Sequence, residues 1–185
     1  MAYPSGGLSG PFDPIPENLL RHPIDFICAD HYRQRVLCDL LDSLVFESAR
    51  DTALADMAAV LGYLRTDMPL HVADEEEDLL PRLLVRAEPG DRIRRMLAVL
   101  AEEHETDRDL VARLVGAIEP IVAGERPPDD PPFVKAAAAF AATQRRHIGW
   151  EERVVFPLAR MRLTRDDLEE IGRGMAARRG TAPPI

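Results

Sequence analysis

Apolar side chains recur every three or four residues along most of this chain, and runs with strict two-residue alternation are missing. That is the period of helices with one buried face, so the pattern predicts an all-α fold. A first helix starts near Pro23, a residue suited to a first helical turn, with His22 beside it as a cap, and runs to about Arg50. Its inward stripe holds Ile24, Ile27, Cys28, His31, Leu37, Leu41 and Leu44. Asp51-Thr52 caps a second helix with Leu54, Met57, Leu61, Leu64, Met68, His71, Glu75 and Leu79 on one side, and Pro69 is expected to kink it. After the turn residues Glu88-Pro89-Gly90-Asp91, a third helix carries Ile93, Leu97, Leu100, His104 and Leu114. A fourth runs from about Phe133 to Met161 and includes His147, Glu151 and Val155.

The clearest linker is Gly124 to Pro132, where four prolines crowd together. Thr164-Arg165-Asp166-Asp167 opens a short fifth helix, whose Leu168, Ile171 and Met175 form a narrow apolar stripe suited to packing on the outside of the other four. Four long helices with short connections predict an antiparallel up-down-up-down four-helix bundle with a short extra C-terminal helix. The expected divisions are a flexible lead-in over 1–19, the bundle over 20–162, the added helix over 163–179 and a disordered tail over 180–185.

The formal charge of −9 argues against a nucleic-acid surface, because the arginines alternate with acids instead of clustering. No apolar run approaches the roughly 20 residues that cross a bilayer, and the N-terminus lacks the regions of a signal peptide, so the expected compartment is the cytoplasm. Cys28 and Cys38 stand about 15 Å apart along one helix, beyond disulfide reach, and are expected to be free thiols.

Two segments repeat one spelling: His71-Val-Ala-Asp-Glu75-Glu76-Glu77-Asp-Leu-Leu-Pro81 and His147-Ile-Gly-Trp-Glu151-Glu152-Arg-Val-Val-Phe-Pro157. Residues i and i+4 stack on one helix face, so each phrase presents an imidazole and a carboxylate together. One such pair alone would be an ordinary surface hydrogen bond. Two copies, with His31 and His104 solitary on the inward stripes of the other two helices, point instead to metal ligands converging inside a bundle. Imidazole and carboxylate donors suit iron, and also manganese, cobalt or zinc, and six ligands are too many for one tetrahedral zinc. His22 lies about 13 Å from His31 along the helix and is left out of the set.

The arrangement His31, His71-x3-Glu75, His104, His147-x3-Glu151, with its paired H-x-x-x-E-E-x-x-[LV]-[LF]-P phrases, resembles the hemerythrin-like, or HHE cation-binding, domain over about residues 20 to 160. The resemblance implies a non-haem di-iron centre, with two oxo- or hydroxo-bridged iron ions, ligated by His31, His71, Glu75, His104, His147 and Glu151, the two glutamates bridging. The Glu-x-x-His motifs of ferritin-like bundles do not occur on these helices. The chain departs from the oxygen carriers of that family in two respects: Arg108 stands one turn after His104, where they have a fifth histidine, and a guanidinium cannot ligate. They also place an aspartate five residues after the fourth-helix histidine, where this chain has Glu152.

Four nitrogens and two bridging carboxylates satisfy about eight of the twelve bonds of two octahedral ions, and a bridging oxygen about two more. The remaining open positions suit a small diatomic ligand or peroxide, so the resemblance implies binding of O2, NO or peroxide, in sensing or in peroxide and redox defence. A dedicated catalase or peroxidase is the enzymatic alternative, and iron storage or a metal-stapled structural bundle the other; the sequence leaves turnover and any protein partner open. Asp74, Glu76, Glu103 and Glu105 lie about 100° or more off the ligand line and are expected to be solvated. Arg35 and Arg108, each one turn from a ligand histidine, are expected to pair with carboxylates near the mouth of the site. Cys28 is read as a small core residue, and Tyr63 and Trp150 as packing, with Trp150 shielding the centre.

Overall fold

The computed structural model describes residues 12–47 and 51–182, and every regular element among them is helical. Helix α1 spans Pro23–Phe46, α2 Ala53–Ala73, α3 Leu80–Arg86, α4 Ile93–Val122, α5 Pro131–Trp150, α6 Phe156–Arg162 and α7 Arg165–Arg178. Two π-helical turns, Asp74–Leu79 and Glu151–Val155, weld α2 to α3 and α5 to α6, so the chain forms four long rods and a short last helix. Rods α1 and α4 each pack against both α2 and α5.

Helix α1 begins at Pro23 as the periodicity requires, but His22 occupies the cap position without a side-chain hydrogen bond, and so does Thr52 before α2. The backbone carbonyls of His22 and Thr52 accept the first helical bonds instead. The described part of α1 ends at Phe46, and the expected end at Arg50 lies outside the described residues. Helix α2 runs through Pro69 as one helical segment. Helix α4 extends through Pro120 to Val122, and Pro131 and Pro132 form the first turn of α5 rather than the end of a linker. Proline lacks an N–H and has φ near the helical value, so a first turn accepts it at no loss of hydrogen bonding.

The irregularity falls at the π turns, and the repeated prolines explain it. Pro81 and Pro157 cannot donate to a carbonyl four residues back, and their rings crowd it. Widening the preceding turn relieves both: Leu80 N–H bonds the Glu75 carbonyl and Phe156 N–H the Glu151 carbonyl, five residues back in each case. Each widened turn begins within one residue of the phrase's glutamate.

Two apolar clusters fill the interior. One joins Leu37, Leu41, Met57, Leu64, Leu114, Ile118, Phe133 and Phe140. The other joins Leu20, Ile27, Leu79, Leu83, Leu100 and Phe156 with Ile171 and Met175 of α7. Helix α7 is opened by a reciprocal cap, Asp167 N–H to the Thr164 hydroxyl and Thr164 N–H to the Asp167 carboxylate, and then lays Ile171, Met175 and Ala176 on the second cluster. The segment ahead of α1 is also packed in part: Phe12 lies against Tyr63, and the 3-10 turn Glu17–Arg21 buries Leu20. Both cysteines are free; Cys38 is fully buried, and burial pushes its thiol up to about 12.

Candidate metal centre

Between the clusters lies a buried polar layer. His31 of α1, His71 of α2, His104 of α4 and His147 of α5 are buried there, with Glu75 and Glu151 from the two π turns. All four histidines turn Nε2 inward. His31 Nε2 lies 3.2 Å from Glu151 Oε2 and 3.8 Å from Glu75 Oε1, and His71 Nε2 lies 3.6 Å from Glu75 Oε1. His104 Nε2 lies 3.4 Å from Glu75 Oε2, and His147 Nε2 3.2 Å from Glu151 Oε2. The six therefore form two tetrads that share both glutamates: His31, His71, Glu75 and Glu151, and Glu75, His104, His147 and Glu151. Within each tetrad one potential ligand atom per residue lies within 4.8 Å of the others. His22, by contrast, is exposed and stands apart.

Nε2 of His31, His71 and His104, both oxygens of Glu75 and Oε2 of Glu151 are buried without a hydrogen-bond partner. Leaving one such atom unsatisfied costs about 1–3 kcal/mol, so six converging on one spot call for a cation. Without a metal, the acids and bases charge one another. Burial opposes ionisation of His31, yet Glu151, Glu152 and Glu75 hold it well above the usual imidazole range. Glu75, against the same burial, is held well below the carboxylate range by His71, His104 and His31. His147, despite burial, is raised to about 9, chiefly by Glu151.

The outer ring nitrogens follow a rule that residue-by-residue reading misses. Asp30, next to His31, lies 3.2 Å from His71 Nδ1. Glu76, next to Glu75, lies 2.8 Å from His104 Nδ1. Glu103, next to His104, lies 3.2 Å from His147 Nδ1, and Glu152, next to Glu151, lies 3.4 Å from His31 Nδ1. Each carboxylate neighbours one tetrad residue in sequence and contacts a histidine on the next rod, and the four contacts close a ring from α1 through α2, α4 and α5 back to α1. At His104 and His147 the contact is a hydrogen bond, and a carboxylate that keeps the proton on Nδ1 leaves the lone pair on Nε2, aimed into the layer; at His31 and His71 the carboxylate stands near Nδ1 without hydrogen-bond geometry. The sequence signal was present: an acid beside a candidate ligand on each rod.

Glu76 is exposed, as expected, yet its carboxylate also bonds His104, and Glu103 is only partly exposed and bonds His147. Asp74 is buried and faces α7, where Arg178 and Arg179 bind it; Glu105 is the most exposed of the four. Arg35 and Arg108 do pair with carboxylates at the rim: Arg35 Nη2 donates to Glu152 at 2.6 Å, and Arg108 Nη1 to Glu76 at 3.2 Å. His31, then Arg35, hold Glu152 at about 2. Arg108 is half exposed, and its guanidinium lies at the rim between Glu76 and Glu105. The residue that does turn inward beyond His104 is Asp107, whose Oδ2 lies 3.8 Å from His147 Nδ1. Tyr63 goes beyond packing: its hydroxyl donates to Asp30 at 3.1 Å, beside Arg33 and Gln34. Phe156 stacks on the His31 ring, with centroids 5.1 Å apart, and Trp150 is packed against the cluster that contains Leu20, Ile27 and Leu79.

A cavity of about 380 Å³ opens between α2 and α4 onto His71, His104 and His147. Its wall is apolar where Leu64, Met68 and Val111 line it and polar at Asp107, Gln144 and Arg108.

A protein of Haemophilus influenzae, described only as uncharacterized, is 29% identical over 161 residues, which is 85% of this chain and 90% of that protein. The family model of the hemerythrin HHE cation-binding domain matches residues 22–159, a span that holds all six residues of the two tetrads and the whole ring of carboxylates around them. The chain belongs to the hemerythrin HHE cation-binding domain family.

Proposed function

We propose that His31, His71, Glu75, His104, His147 and Glu151 hold two non-haem iron ions, with Glu75 and Glu151 bridging them, inside an antiparallel four-helix bundle. The protein then binds O2, NO or peroxide at that pair, in small-ligand sensing or in peroxide and redox defence, and acts in the cytoplasm. The observation that carries this reading is the pair of buried tetrads sharing two carboxylates. Two-by-two histidines and shared oxygens match two ions that need nitrogen and oxygen donors, and a single tetrahedral zinc would leave two of the six unused.

The iron pair would supply Lewis acidity and reversible electron transfer. The chain's own groups do the rest. Glu76 and Glu103 would keep the protons on Nδ1 of His104 and His147, Asp30 and Glu152 place negative charge beside His71 and His31, the two apolar clusters limit water around the layer, and the cavity would admit a small molecule on the side of His71, His104 and His147. Metal analysis with a visible and near-ultraviolet spectrum of the aerobically purified protein tests the assignment. Two iron ions per chain with near-ultraviolet absorption are expected; a colourless protein with zinc, or one ion per chain, would overturn it.

A further inference from the structure

The two copies of the repeated phrase differ in charge at three positions after the histidine. The first copy has Asp74, Glu77 and Asp78 where the second has Trp150, Arg153 and Val154. In the first copy this makes five consecutive acids, 74–78, on one widened turn. Like charges that close repel, and Asp74 is buried besides, so a turn of this composition opposes its own formation unless cations face it. Glu75 points into the centre and Glu76 to His104. The other three, the positions where the copies differ, all meet α7. Arg178 donates to Asp74 at 2.7 Å, to Asp78 at 2.9 Å and to Glu77 at 2.9 Å. Arg179 binds both Asp74 oxygens, at 2.9 and 2.5 Å, and its guanidinium lies 4.7 Å over the ring of Phe26 on α1. Glycine at 174 permits the approach, since a Cβ there would collide with the Asp78 carboxylate.

We propose that Arg178 and Arg179 are positioning residues for the centre: through Asp74 and its neighbours, α7 clasps the π turn that carries Glu75 and holds that carboxylate between the two tetrads. The second π turn has Glu151 and Glu152 but no counterpart of Asp74, Glu77 and Asp78, and the arginine on its Glu152 is Arg35 of α1, not a residue of α7. The consequence for metal rests on the reading above, whereas the clasp itself does not. If α7 favours the turn geometry that binds metal, bound metal must favour a docked α7 to the same extent.

The experiment compares wild type, Arg178→Ala/Arg179→Ala and the charge-keeping Arg178→Lys/Arg179→Lys by amide hydrogen exchange of the metal-free proteins, and by titration with cobalt(II) followed in the visible spectrum. The alanine pair should speed exchange at amides 75–80 by tenfold or more while α1 and α5 stay protected, weaken cobalt binding by tenfold or more and shift its spectrum, and the lysine pair should restore much of each. Should the alanine pair lose its helical circular dichroism, the single Arg178→Ala decides by the same readouts. Unchanged exchange at 75–80, or faster exchange spread evenly over all rods, would overturn the clasp. A wild type that takes up no cobalt would overturn the metal reading instead, and the exchange pattern would still decide the clasp.

Discussion

Glu103 reaches His147 across the gap between α4 and α5, with Oε2 3.2 Å from Nδ1, although its neighbour in sequence is a different buried histidine, His104. The offset repeats around the ring, so every rod places a carboxylate beside a buried histidine of the next. Displacing one rod disturbs two histidines at once, and the polar layer is coupled to the packing of all four rods.

Removing one of these outer carboxylates should weaken metal binding while leaving the inward ligands in place. Glu103→Gln and Asp30→Asn are each expected to lower metal affinity about 10–100-fold, the usual range for groups that orient a ligand histidine. Competition with a chelator of known affinity measures it. His22→Ala, at an exposed position outside the ring, serves as the control and should change nothing.

Loss of a ligand has a larger effect. His104→Ala or Glu151→Ala leaves the remaining buried atoms without compensation, and metal binding is coupled to folding, so both metal content and melting temperature should fall. Elemental analysis and calorimetry read the two separately. Full occupancy in either variant would remove that residue from the ligand set.

Protons and metal compete for His147. In the metal-free protein this imidazole is raised to about 9, above an unfolded value of about 6.5, so its contribution to folding is complete below about pH 6.5 and is lost as pH rises through about 9. A metal needs the neutral ring, so its affinity runs the other way and grows over the same window. The rise in melting temperature caused by added metal should therefore be greater near pH 8.5 than near pH 6, under about equal free metal. A shift independent of pH would show that His147 does not bind the ion.

The cavity between α2 and α4 makes a kinetic prediction. Val111→Trp places a large side chain in its wall and should slow binding of nitric oxide or azide to the iron-loaded protein, with metal content unchanged. Stopped-flow mixing gives the rate, and an unchanged rate would place the entry path elsewhere. Arg108→His, by comparison, should not add a ligand, because that side chain sits at the rim on Glu76 and Glu105.

The six inward residues and the helical class could be read from the chain because both are local. A helix repeats every 3.6 residues, so spacing alone puts His71 with Glu75 and His147 with Glu151, and sets His31 and His104 on apolar stripes. The prolines ten residues after the phrase histidines were equally visible, although the widened turns they impose were not anticipated. What tertiary structure alone decided is which side chains meet across rods. Asp30, Glu76, Glu103 and Glu152 lie off the ligand line of their own helices and look like solvated acids until the neighbouring rod brings a ring nitrogen within reach. Asp107 rather than Arg108 turns inward, because a difference of one residue, about 100° of helix rotation, depends on how α4 seats against α2 and α5. The arginines of α7 could be expected to pack or to stay in solvent, and only the approach of that helix to the turn at 74–79 shows that three of five consecutive acids are theirs. Spacing along one helix is fixed by its own geometry, whereas contacts between helices depend on the rotation and height of each, which no single segment encodes.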